Sequence, residues 1–145
     1  MSRPRVILRL FAVLGSLLWL SGCASYDAQV VSMKSLKGIT RFFVVTNQND
    51  NHALDENIAT VLKARGFAVE VGPRTMMPDN TQAIVIYQDR WTWDFGDHLM
   101  SLTINIRDAL SGDPVTGITY SVSIPPREAL GTTIGRLVDR LLAGK

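Results

Sequence analysis

The sequence predicts an α+β domain, a two-layer α/β sandwich in which two helices lie on one face of a mixed, mostly antiparallel sheet of about five strands. The predicted order is β-α-β-β-β-β-α. Three observations carry this reading: apolar residues recur with helical spacing in two segments, they alternate with a period of two through the second half of the chain, and turns bearing Gly, Pro, Asp or Asn separate the segments.

The elements follow in order. Arg41-Phe-Phe-Val-Val45 is a short β-branched and aromatic run and reads as a buried strand. The polar stretch Thr46 to His52 offers Asp50 or Asn51 as a helix N-cap. Leu54, Ile58, Val61 and Leu62 recur at i, i+4, i+7 and i+8, with Asp55 and Glu56 in the first turn, Lys63 and Arg65 in the last, and Gly66 as a C′ residue. Phe67 to Val71 alternates as a second strand, and Gly72 to Thr81 is a connection rich in turn formers. A long strand runs from Ile84 to about Trp93, with Asp94 to His98 as a hairpin turn. Met100, Leu102, Ile104 and Ile106 then alternate with Ser101, Thr103, Asn105 and Arg107. After a turn at Ser111 to Pro114, Ile118, Tyr120, Val122 and Ile124 alternate with Thr119, Ser121 and Ser123. Pro125-Pro126 ends that strand, and Pro126 suits the first turn of a last helix carrying Leu130, Ile134, Leu137, Val138 and Leu141 on one stripe. The face of the sheet bearing Ser101, Thr103, Asn105, Arg107, Thr119, Ser121 and Ser123 is expected to be wet. Asp89 resists the pattern, since it falls on the core side between Tyr87 and Trp91, and a bulge or an edge position would relieve it.

Residues 1–22 read as a targeting segment. Arg3, Arg5 and Arg9 form a basic region, and Leu10 to Leu20 is almost wholly apolar. That run is about half the roughly 20 residues needed to span a bilayer, which favours a cleaved leader over a transmembrane anchor. The chain has one cysteine, Cys23, placed where the apolar run stops, so it has no partner for an intramolecular disulfide. Leu20-Ser21-Gly22-Cys23 resembles the lipobox of bacterial lipoproteins. That resemblance implies cleavage before Cys23, a diacylglycerol on its thiol and an acyl group such as palmitate on the new amino terminus. Stable anchoring takes at least two acyl chains, which such processing supplies. Ala24, where aspartate tends to retain a lipoprotein in the inner membrane, implies the outer membrane with the domain facing the periplasm. Residues 23–38 then read as a lipidated tether and residues 39–145 as a single domain. Leader removal takes three of the 15 basic residues and none of the 13 acidic ones, so the +2 of the whole chain becomes −1. Without a clustered basic footprint the composition gives no reason to expect nucleic acid.

The chemistry-bearing residues are sparse. Asp94, Asp97 and His98 fall together, but tetrahedral metal sites need more nitrogen or sulfur ligands than they offer, and the stretch Asn47 to His52 lacks the spacing of a calcium loop. There is no G-x-S-x-G elbow and no phosphate-binding glycine loop. No cofactor, metal or catalytic residue is therefore expected. The aromatic stretch Tyr87 to Leu99 is the most distinctive internal feature. Trp91 and Trp93 share one strand face, and a strand that outruns the helices would leave one of them as an anchor for a partner.

The helix ending ARGFAVE, the strand AIVIY and the stretch WTWDFGDHLMSLTINIRDALSGDPV resemble the DUF4136-type small bacterial lipoproteins, over roughly Leu54 to Val122. The resemblance implies an α/β binding domain and no catalytic residues. The expectation is a non-enzymatic, lipid-anchored envelope module that binds an envelope protein or component through the wet sheet face or through Trp91, Trp93, Asp97 and His98. The alternatives are an accessory assembly subunit of an envelope machine, and a hydrolase with a pocket gathering Asp94, Asp97 and His98.

Overall fold

The computed structural model describes residues 26–143. The leader and the Cys23 lipidation site lie outside the described residues. In chain order the elements are β1 (Tyr26–Ser32), β2 (Arg41–Val45), α1 (Leu54–Ala64), β3 (Ala68–Gly72), β4 (Ala83–Trp93), β5 (Asp97–Asp108), β6 (Pro114–Val122) and α2 (Leu130–Ala143), with a 3-10 turn at Arg74–Met76. The strands form one mixed sheet in the spatial order β1-β6-β5-β4-β2-β3. β2 runs parallel to β3 and β4, and the remaining pairs are antiparallel. This is the two-layer α+β arrangement that the sequence predicts, with six strands rather than about five.

The sixth strand is β1, and it corrects the reading of residues 23–38 as a tether. Tyr26 to Ser32 pairs along its whole length with β6, from Tyr26 opposite Val122 to Ser32 opposite Thr116. Its weak alternation has a physical cause. β1 is an edge strand, so Val30 and Val31 stay exposed, and Ala28 packs against the core from one side. Leu36, downstream of it, is buried in the core, and the Met33 and Lys34 amides both donate to the Val115 carbonyl.

The core lies between the sheet and the two helices. Leu54, Ile58 and Leu62 of α1 and Ile134, Leu137 and Leu141 of α2 are fully buried, against Phe42, Val44, Val85, Leu102, Ile104 and Ile118 of the sheet. Each such side chain contributes roughly 1.5–3 kcal/mol relative to an exposed position. Arg65, just past α1, makes a two-pronged contact with Asp139 of α2 at 2.7 and 2.8 Å. Gly66 has φ +89°, the left-handed conformation that a C′ residue adopts.

Three boundaries differ from expectation. The N-cap position of α1 is Ala53, in the left-handed region, and it has no capping side chain. Asp50 caps from further upstream, its Oδ2 accepting the Leu54 N–H at 2.6 Å. α2 begins at Leu130 rather than at Pro126. β6 runs from Pro114 to Val122, and Ile124 is 70% exposed beyond it. Among the described residues the pairing of β1 with β6 ends at Val122 and that of β5 with β6 ends at Ser121, short of Ile124.

The β4–β5 pairing slips between Arg90 and Trp91: Arg90 faces Ser101, Trp91 faces Leu99, and Met100 is left unopposed. This bulge does not relieve Asp89: its extra residue is on β5, and Asp89 stays opposite Leu102 on the core-side face. The bulge turns Leu99, not Met100, toward the core. On the opposite sheet face Arg107, Thr119, Ser121 and Ser123 are exposed while Ser101, Thr103 and Asn105 are half-buried, so that face is polar as expected.

Candidate binding site at the hairpin end of the sheet

β2 and β4 run in the same direction, but β2 stops early. Val44 is its last residue paired with β4, opposite Val85, and β4 continues to Trp93. At about 3.3 Å per residue the eight further residues carry the β4–β5 hairpin some 26 Å past that pair. The Thr46–Ala53 loop, on its way from β2 to α1, folds against the core-side face of this overhang. Asp50, His52, Tyr87, Asp89 and Trp91 meet there.

The Tyr87 hydroxyl donates to Asp50 Oδ2 at 2.8 Å, and Asp50 also accepts the backbone N–H groups of His52 at 2.7 Å and Leu54 at 2.6 Å. The His52 ring stacks on Trp91, with centroids 3.6 Å apart and planes 12° from parallel. Its Nε2 donates to Asp97 Oδ2 at 3.2 Å, and Trp91 Nε1 donates to Asp89 Oδ2 at 2.6 Å. Burial pushes the Asp50 carboxyl up, but the bonds from His52, Tyr87 and Leu54 outweigh it and hold the group below the ordinary carboxylate range. Burial, and then the bond to Asp50, push the Tyr87 hydroxyl well above its ordinary value, so it stays protonated and donating.

Asp50, His52 and Asp89 bring one potential ligand atom each within 4.8 Å of one another, and these are the residues that could hold a cation. Protein donors already occupy their carboxylates. A cation there would compete with the bonds that start α1, so the cluster reads as the polar lining of an overhang that no helix covers.

Of the residues singled out in the sequence, Trp91, Asp97 and His98 come together, and Trp93 projects. Trp91 is half-buried, whereas Trp93 is 74% exposed and Phe95, at the hairpin tip, is 97% exposed. The two exposed rings lie 6.2 Å apart. Phe95 has φ 52°, the left-handed region, where a bulky side chain is an outlier. Between the hairpin and the segment leading into α2 is a cavity of about 130 Å³, lined by Trp91, Asp97, His98 and Leu99 with Glu128 and Thr133 opposite. Sites for drug-sized ligands usually offer roughly 300–1,000 Å³. The Thr133 hydroxyl donates to Glu128, which also accepts from Arg136. Asp94 is not in the lining; its backbone carbonyl accepts from His98 Nε2 at 3.2 Å. The hydrolase alternative required Asp94, Asp97 and His98 in one pocket, and Asp94 is missing from it.

Sequence reasoning missed Asp50, His52 and Glu128 as neighbours of the hairpin, because each is contributed by a loop whose fold no periodicity reports. Phe95 was legible only as a turn residue. Its one signal was a large aromatic directly before Gly96, in a position that favours Asn or Gly.

No family model and no curated protein matches the sequence. Among solved structures, the chain is similar to the PelC dodecamer from Paraburkholderia phytofirmans in two crystal forms. One, of a point variant, aligns at 19% identity and a TM-score of 0.59, over 82% of this chain and 95% of that one. The other aligns at 19% identity and a TM-score of 0.61, over 82% and 96%. At this identity the likeness is one of fold.

Proposed function

We propose that this chain is a lipid-anchored, periplasm-facing module of the bacterial outer membrane, related to the DUF4136-type lipoproteins, that binds an envelope component through the aromatic end of its β4–β5 hairpin. The observation that carries the reading is the pair Trp93 and Phe95. Both rings are exposed and adjacent, on a strand that outruns the sheet by several residues. Exposed aromatic anchors are what binding surfaces select. Leu20 to Cys23, after a basic and then apolar leader, supports the anchor.

The test is in-cell photocrosslinking from Trp93 and Phe95, each replaced in turn by a photoreactive residue in the full-length lipoprotein, with Ser121 on the polar sheet face as comparison. A recurrent adduct from the tip and none from Ser121 is expected. Adducts from Ser121 alone would move the binding surface to the sheet face.

A second reading, that the chain is an assembly subunit made of several copies, has its own support. Val31 and Met33 lie exposed at the β1 edge of the sheet, and the PelC proteins that share the fold are dodecamers. Light scattering of the purified lipoprotein in detergent distinguishes a single copy from a closed ring.

A further inference from the structure

We infer that the component bound by the hairpin tip is the bilayer itself: Trp93 and Phe95 seat in the lipid–water interface beside the anchor and fix which end of the domain faces the membrane. This rests on the anchored reading above and adds the identity of what the tip touches.

Arg90, Ser101, Ser121 and Asp27 stand side by side in one row across β4, β5, β6 and β1. From that row the hairpin runs on through Trp91, Thr92 and Trp93, about 10 Å at 3.3 Å per residue, before the turn that holds Phe95. The chain enters the domain at the same end, because β1 begins at Tyr26, opposite the last residue of β6. Cys23 precedes Asp27 by four residues, so the anchor lies within roughly 14 Å of the row however those residues run. The turn at Leu110, by contrast, lies seven residues of β5 and more from Ser101, over 23 Å away at the same rise. The anchor therefore lies nearer the end that holds Trp93 and Phe95 than the end that holds Leu110.

The residues at that end fit this occupant. Tryptophan is enriched at membrane interfaces because its ring is apolar and its N–H is polar. Phe95 is the sharper signal. Its backbone is left-handed, which favours glycine or asparagine, and its ring is 97% exposed, so neither turn geometry nor packing within the domain explains a phenylalanine there. Ile124, 70% exposed, follows β6 at the same end. Asp94 and Asp97 also lie there, which disfavours an anionic surface and favours a zwitterionic one. A second copy or a soluble protein would not need the tip and the anchor at one end.

The test uses the lipoprotein as processed in cells, reconstituted in phosphatidylcholine–phosphatidylethanolamine vesicles whose acyl chains carry bromine. Without the leader, Trp91 and Trp93 are the tryptophans that remain. Bromolipid should quench the emission at least twofold relative to plain lipid, and Trp93→Phe should remove most of that quenching. Leu110→Trp in the Trp93→Phe background should restore none of it. Flotation and intact mass report the anchor separately. A chain acylated at Cys23 that floats but is not quenched overturns the seating of the tip. If Trp93 is then also shielded from acrylamide, another protein or a second copy covers it, which overturns the inference equally. A chain neither acylated nor floating overturns the anchored reading and this inference with it.

Discussion

Replacing Asp50 by alanine removes one acceptor from three donors at once, the amides of His52 and Leu54 and the hydroxyl of Tyr87. The Leu54 bond caps α1, and loss of a capping acceptor costs about 1 kcal/mol. A buried hydroxyl left without its acceptor adds about 1–3 kcal/mol. The His52 amide, in a loop, can turn to water and adds little. Asp50→Ala should therefore lower the unfolding free energy by about 2–4 kcal/mol in a urea titration, without change in slope. Tyr87→Phe alone should cost about 1 kcal/mol, since Asp50 keeps its backbone donors. In the double variant no hydroxyl is stranded, so the two losses should fall short of additivity by about 1 kcal/mol or more. The pH dependence has a definite sign. The folded-state pKa of Asp50 is depressed, so its contribution is present above the ordinary carboxylate value, near pH 4, and is lost as pH falls through the folded value. The stability gap between wild type and Asp50→Ala should thus narrow below about pH 4. Strict additivity of the two substitutions, or a gap that stays constant into acid, would refute the reasoning.

Other substitutions test the rest of the picture. A Cβ at Gly117 would lie 2.6 Å from Asn105 Oδ1, the end of a side chain that can turn away, and 3.4 Å from the Ile104 carbonyl, so Gly117→Ala should cost less than about 1 kcal/mol in urea unfolding, and Asn105→Ala should remove that loss. Trp91→Ala removes the ring that stacks on His52 and donates to Asp89, and should cost about 2–4 kcal/mol, whereas Trp93→Ala should change stability by less than about 0.5 kcal/mol. Phe95→Asn places a residue that tolerates the left-handed region at φ 52°, so thermal unfolding should show equal or slightly greater stability; a loss above about 0.5 kcal/mol would mean the ring packs on the domain.

What the sequence made legible follows from periodicity. α1, with apolar residues at helical spacing, acidic first-turn residues and Gly66 at its end, was found nearly to the residue, and β4 and β5 were found by their alternation. β1 was not, because an edge strand buried on one side carries only half a pattern, and Asp27, Gln29 and Ser32 dilute even that. The candidate site was legible in part. Trp91, Trp93, Asp97 and His98 stood out as one segment, and a strand longer than its neighbours was enough to expect one exposed tryptophan. That His52 would stack on Trp91, or that Asp50 would cap α1 while holding Tyr87, depends on the path of the Thr46–Ala53 loop, whose residues are selected for contacts far along the chain.

Two residues broke the local rules, and the way each is resolved separates structure from function. Asp89 sits on the core side of a strand, where a carboxylate is costly, but the overhang leaves that face to a polar loop, and Trp91 Nε1 satisfies it. Its violation is answered inside the domain. Phe95 bears a strained backbone conformation and an almost fully exposed ring, and among the described residues the ring beside it is that of Trp93, itself exposed. Natural chains are locally consistent except where function overrides, so a violation that the fold answers says nothing about partners, while one left unanswered points outward. The register places that unanswered residue at the end of the sheet where β1 begins, beyond the row of Asp27, which follows Cys23 by four residues. The same edge strand that hid from the periodicity is therefore the element on which the inferred membrane seating rests: with a free tether in its place, Trp93 and Phe95 would bear no fixed relation to Cys23, and with the strand paired to β6 they lie at the end where the chain enters the sheet.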